Sequence, residues 1–251
     1  ELDLGHVSLT TRKLPLGLRI DSLETKYGIV EASVKGQWLR TNQHISRVDA
    51  DLKVHDLGAV LAGLGYVESV KNADGAAKLV LNGDGPLLDY ELASLDGVVD
   101  FDFEDGRLLE VEPGAGRFFG LLSVTALPRR LLLDFSDFFG KGFAFDEMRG
   151  HFDIADGDAF TEKFFMDGPA ARIDLQGRVG LAEEDYDQRV KVVPHVTSGL
   201  PTLAAVLTGQ IGPALVWALI EKLTKNEVDK ATGVYYQVTG SWDDPTIEPV
   251  E

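Results

Sequence analysis

Leu95 to Gly150 reads LDGVVDFDFEDGRLLEVEPGAGRFFGLLSVTALPRRLLLDFSDFFGKGFAFDEMRG, and two hydrophobic periods share it. Val99, Phe101 and Phe103 alternate with Asp100, Asp102 and Glu104, the two-residue period of a strand with one wet face. Asp105-Gly106 predicts a tight turn into a second strand, Arg107 to Glu112, and so a hairpin. After Pro113 the spacing of Phe118, Leu121, Leu122 and Thr125 is helical, and Leu127-Pro128 ends it, because proline disfavours helix at the residue before it. Alternation returns at Arg129 to Phe135 and at Lys141 to Met148, with Leu131, Leu133 and Phe135 on one face and Phe143 and Phe145 on another.

A competing reading takes RLLEVE as the first strand of a dinucleotide-binding unit, Gly114-Ala115-Gly116 as its phosphate loop and Asp134 as its ribose acid. The third glycine falls one residue late. Phe118 and Phe119 also place large apolar groups where phosphate would approach the helix start. The flanking chain predicts hairpins, not strands alternating with long helices.

Working outward, Leu2 to Leu9, Leu16 to Ile20 and Tyr27 to Trp38 read as strands. From His44 the alternation is cleanest: Ser46, Val48, Ala50, Leu52 and Val54 face one way, Arg47, Asp49, Asp51 and Lys53 the other. Asp56 is a candidate N-cap for a short apolar helix stopped by Gly65. Strands resume with Ala77, Leu79 and Leu81, and continue after Gly150 through His151 to Ile154, Ala159 to Met166, Ala171 to Leu181 (Ile173 and Leu175 inward), Tyr186 to Val193, and Val234 to Trp242. The chain is predicted to be mainly β, a long curled antiparallel sheet with short helices over its open side.

Composition narrows the function. The 251 residues carry a net charge of −17, which argues against nucleic acid and against electrostatic docking on anionic lipid. Without cysteine there is neither disulfide nor thiolate metal site. None of the five histidines has metal-ligand spacing with another. Asp100, Asp102 and Glu104 superficially suggest a calcium loop, but Gly106 comes one place late and Val111 stands where the bidentate acid belongs. No serine sits in a nucleophile elbow. The reading is of a non-enzyme without cofactor.

Val192 to Ile220 contains no Asp, Glu, Lys or Arg. Pro201, Gly209, Gly212 and Pro213 divide it, so two short helices within an insertion at about 195–228 fit better than one membrane span. Either they pack on the sheet's end, or Leu203, Val206, Leu207, Ile211, Leu215, Trp217, Leu219 and Ile220 touch a bilayer or close the end of a groove.

Taken in order, the small-residue turn before RFFGLLS, then LPRRLLLDFSD, GFAFDEMRGHFDIADG and GPAARIDLQGRV resemble the C-terminal region of the AsmA-like proteins, most closely the YhdP branch. The resemblance covers about Gly36 to Val250. It implies a periplasmic protein of a Gram-negative envelope, anchored in the inner membrane at its N-terminus, whose stacked strands form an open apolar groove for phospholipid towards the outer membrane. On that reading the chain is an excised fragment, a single elongated unit over 1–251. Its partners are phospholipid acyl chains, the outer membrane and possible envelope proteins. Val48, Leu52, Leu79, Leu81, Phe101, Phe103, Leu131, Leu133, Phe143, Phe145, Ile173 and Leu175 would line the groove. The rival is a closed sandwich or barrel whose apolar faces meet each other and carry nothing.

Overall fold

The computed structural model describes residues 3–40, 44–65, 69–86, 91–109, 142–195 and 233–250. Its frame is one sheet of twelve antiparallel strands. They are β1 (His6–Leu14), β2 (Gly17–Lys26), β3 (Val30–Arg40), β4 (His44–Val54), β5 (Val70–Asp84), β6 (Asp96–Leu108), β7 (Phe143–Ala155), β8 (Asp158–Asp167), β9 (Ala171–Gly180), β10 (Asp185–Pro194), β11 (Val234–Ser241) and β12 (Pro245–Val250). Each pairs with its neighbours in sequence. No pairing joins β1 to β12 among the described residues, so the sheet is open and the closed-barrel alternative fails.

The register explains why so long a meander holds. Its row starting at Val30 runs through Val54, Gly75, Phe103, Met148, Met166, Ile173 and Val192 to Val234 without a polar side chain. A slip of one residue would turn every one of these side chains to the charged face, which pins the pairing. Irregularities at Thr10/Thr11, Ile20/Leu23, Arg149/Asp153 and Thr161/Phe164 interrupt the ladder. Such bulges bend strands and raise twist, and open sheets of more than about ten strands curl.

The short helix α1 (Leu57–Gly63) lies where the sequence places it. The Asp56 carboxylate accepts from the Ala59 amide at 2.9 Å, and Gly65 follows with φ +90°. Gly58 lets the helix press on β5, since a Cβ there would lie 3.1 Å from the Val70 carbonyl carbon.

Asp105-Gly106 is not a hairpin turn. β6 continues through it to Leu108, with Asp105 at φ 54° forming an irregularity opposite Ala73 at φ 67°. A turn would remove Arg107 and Leu108 from between Lys71 and Val70 on one side and Ala144 and Phe143 on the other, and Leu108 is buried. Two-sided pairing outweighs local turn preference. The working turn of this type is Asp156-Gly157, both at positive φ, joining β7 to β8. β7 is one unbroken strand where the sequence suggests two, and β12 was not anticipated. Glu112, the helix read after Gly116, the strand through Leu131 and Leu133, and the insertion at about 195–228 beyond His195 lie outside the described residues. β10 and β11 are nonetheless direct neighbours in register.

Candidate functional site

Alternation across twelve strands gives the sheet two chemically opposite faces. On the apolar face, the row Ala32, Leu52, Ala77, Phe101 and Gly150 runs beside Val34, Ala50, Leu79, Val99 and Phe152, and beside Gly36, Val48, Leu81, Gly97 and Ile154. Past the bulge in β8 it continues as Phe164, Leu175, Val190 and Tyr236. The register thus brings Val48, Leu52, Leu79, Leu81, Phe101, Phe103, Ile173 and Leu175 to one face, while Phe143 and Phe145, which have the parity of Glu147 and Arg149 along β7, are buried in the same core cluster. Leu131 and Leu133 fall outside the described residues, as do Leu203, Val206, Leu207, Ile211, Leu215, Trp217, Leu219 and Ile220.

Exposure along this face is graded. Val7 and Leu9 on β1 are 46% and 58% exposed, β3 to β5 mix half-buried Val34, Val48, Leu52 and Leu79 with buried Val30, Ala50 and Val54, and Met148, Met166, Leu175 and Val179 are fully buried. At its centre Phe101 stacks on Phe152 with ring centroids 6.1 Å apart and meets Phe164 edge-on at 6.2 Å. Polar side chains intrude on the face at few places. Ser46 donates to the Gly85 carbonyl at 2.6 Å, and Thr161, Gly177 and Gln188 form one row near the far end.

The polar face is knitted by cross-strand pairs: Lys78 with Asp51 at 3.6 Å, Arg149 with Asp102 at 2.8 Å, His151 with Asp100 at 2.6 Å. The His151 pKa is raised above its ordinary 6.5, chiefly by the Asp100 hydrogen bond. Arg178 spans three strands, donating to Asp158 on β8 and Asp185 on β10, each at 2.7 Å. An elongated concavity of about 1180 Å³ crosses this face from Lys26 to Tyr235. Its β9 and β10 walls are Arg172, Asp174, Gln176, Arg189 and Lys191, without the intervening apolar residues, which point to the other side. The register places these charges together on the polar face, where they flank the trough.

Among the described residues no cluster of His, Asp and Glu is arranged to hold a metal ion, and no helix is long and apolar enough to cross a membrane.

The family model described as YhdP protein matches residues 1–247. The chain belongs to the YhdP family. Within it, the chain is 35% identical over 159 residues to the intermembrane phospholipid transporter YhdP of Escherichia coli (strain K12). That alignment covers 63% of the chain and 12% of the relative, so the chain spans a small part of that family member's length. No solved structure matches the chain significantly. The open, mainly β architecture expected from the family resemblance is the one observed.

Proposed function

We propose that the chain is one segment of a bridge for phospholipid between the two membranes of the envelope, its apolar face carrying acyl chains. Headgroups ride in water at the margin of the sheet, and cargo leaves towards the outer membrane. The observation carrying this reading is the unbroken apolar register from Val30 to Val234. The E. coli relative, an intermembrane phospholipid transporter, agrees with it.

The energetic need is large. A two-chain lipid in water exposes some thirty methylenes at ~0.8 kcal/mol each, on the order of 20 kcal/mol or more. A continuous apolar surface removes that barrier without any catalytic group or headgroup pocket. Twelve strands spaced ~4.8 Å apart supply roughly 50 Å of it. Leu203 to Ile220 would be the membrane end, held by apolar burial because a chain of charge −17 attracts no anionic lipid.

The test is copurifying phospholipid, measured by mass spectrometry, in the native chain and in a Val48→Asp/Leu79→Asp variant. Both side chains are half-buried on the apolar face, and a charge there is costly to acyl chains. The variant is expected to fold by circular dichroism and to lose bound lipid; a folded variant retaining native lipid content overturns the reading. For the membrane end, Leu215→Ser, Trp217→Ser and Leu219→Ser together should abolish flotation with neutral vesicles while bound lipid is kept.

A further inference from the structure

The trough on the polar face is not electrically uniform. Towards β4–β7 its acids are matched by cations: Asp51 by Lys78, Asp102 by Arg149 and Asp100 by His151. Towards β8–β11 the cations Lys163, Arg172, Arg189 and Lys191 outnumber the acids Glu162 and Asp174. Arg172 holds Asp174 at 3.0 Å, but no carboxylate of the described residues lies within ion-pairing distance of Lys163, Arg189 or Lys191. The last two are held over the Tyr235 ring, Arg189 Cζ at 4.9 Å and Lys191 Nζ at 5.8 Å from its centroid, and Arg172 lies 4.2 Å over Phe165.

Aromatic platforms fix these cations without neutralising them, so less side-chain freedom is lost when an anion arrives. Concentrated positive charge in a chain of net charge −17 is a local arrangement, not a consequence of composition.

We propose that the β8–β11 end of this trough docks an acidic polypeptide segment of a partner protein, laid along the concavity against Lys163, Arg189 and Lys191. Charge complementarity selects the sign, and shape and surroundings select the class. A bilayer is flat and meets the rims of a concave trough, not its floor. A nucleic acid carries its charge on past the patch, over Asp100 and Asp102 and a strongly acidic molecule. A short run of Asp and Glu satisfies the patch and then ends. The inference uses the face opposite the one proposed for lipid, so it stands or falls independently of it.

The experiment is fluorescence anisotropy of a labelled oligoglutamate peptide titrated with the native chain, with oligolysine and phosphatidylglycerol vesicles as parallel arms. Oligoglutamate is expected to bind, and to weaken several-fold as salt rises. An Arg189→Glu/Lys191→Glu variant should lose at least about tenfold in affinity, as like charges oppose docking. An Arg189→Gln/Lys191→Gln variant, with the same melting temperature as the native chain, should fall between them. Absence of oligoglutamate binding, equal binding by the charge-reversed variant, equal binding of oligolysine, or binding to the anionic vesicles alone each overturns the proposal.

Discussion

The ring of Phe101 rests on Gly150 of the neighbouring strand: a Cβ built at Gly150 would lie 2.5 Å from the ring's Cζ. The same ring is bounded by Phe103 at 5.8 Å, Phe152 at 6.1 Å and Phe164 at 6.2 Å. Phe101 is thus crowded by Gly150 and three aromatic neighbours. The glycine is what lets four aromatic rings gather where β6, β7 and β8 meet.

Gly150→Ala should accordingly force the ring off its position and destabilise the chain by about 1–3 kcal/mol, the range for overpacking a filled site. A thermal melt measures it. An unchanged melting temperature would mean that the aromatic cluster repacks without cost.

Arg178 binds Asp158 and Asp185 across three strands, with side-chain exposures of 26%, 31% and 34%. Arg178→Met removes both charge-assisted hydrogen bonds and leaves two carboxylates side by side. The expected loss is about 1–2 kcal/mol, below that of a buried network because each partner keeps part of its hydration. Urea unfolding in low and high salt checks it, with the smaller difference in high salt.

His151 donates its Nδ1–H to the Asp100 carboxylate at 2.6 Å and lies 3.4 Å from Asp153. Its pKa is raised above 6.5 chiefly by the hydrogen bond to Asp100, opposed by burial and helped by the nearby charges of Asp100 and Asp153. A raised folded-state value means that the pair's contribution to stability is fully present below about 6.5, the unfolded value, and is lost as pH rises through the folded one. Nuclear magnetic resonance titration of the imidazole should show the elevated value, and Asp100→Asn should bring it down. A midpoint at 6.5 in both proteins would contradict the pairing.

How far the sequence discloses this molecule depends on whether a feature is local. The inward alternation of Ser46 to Val54 needs only neighbouring residues, and the face it predicts is the observed one. The N-cap at Asp56 is legible for the same reason. Asp105-Gly106 misleads because its turn preference is local while the pairing that overrides it comes from strands on both sides. The cation cluster is invisible for a stronger reason. Lys191 stands opposite Tyr235 only through the register of β10 on β11, two strands separated by some forty residues of chain. Among candidate lining residues, Phe152, Met148 and Val190 share the alternation of those named from sequence and belong to the same face.

The central claim is that one face of the sheet, and not the other, carries lipid chains. Photo-crosslinking amino acids placed in living cells at Val48, Leu52, Leu79 and Phe101, and at their strand neighbours Asp49, Lys53, Lys78 and Asp102, test it most directly. The account predicts phospholipid adducts at the first four positions and none above background at the second four. Equal labelling of the two sets, or labelling confined to the charged positions, would contradict it.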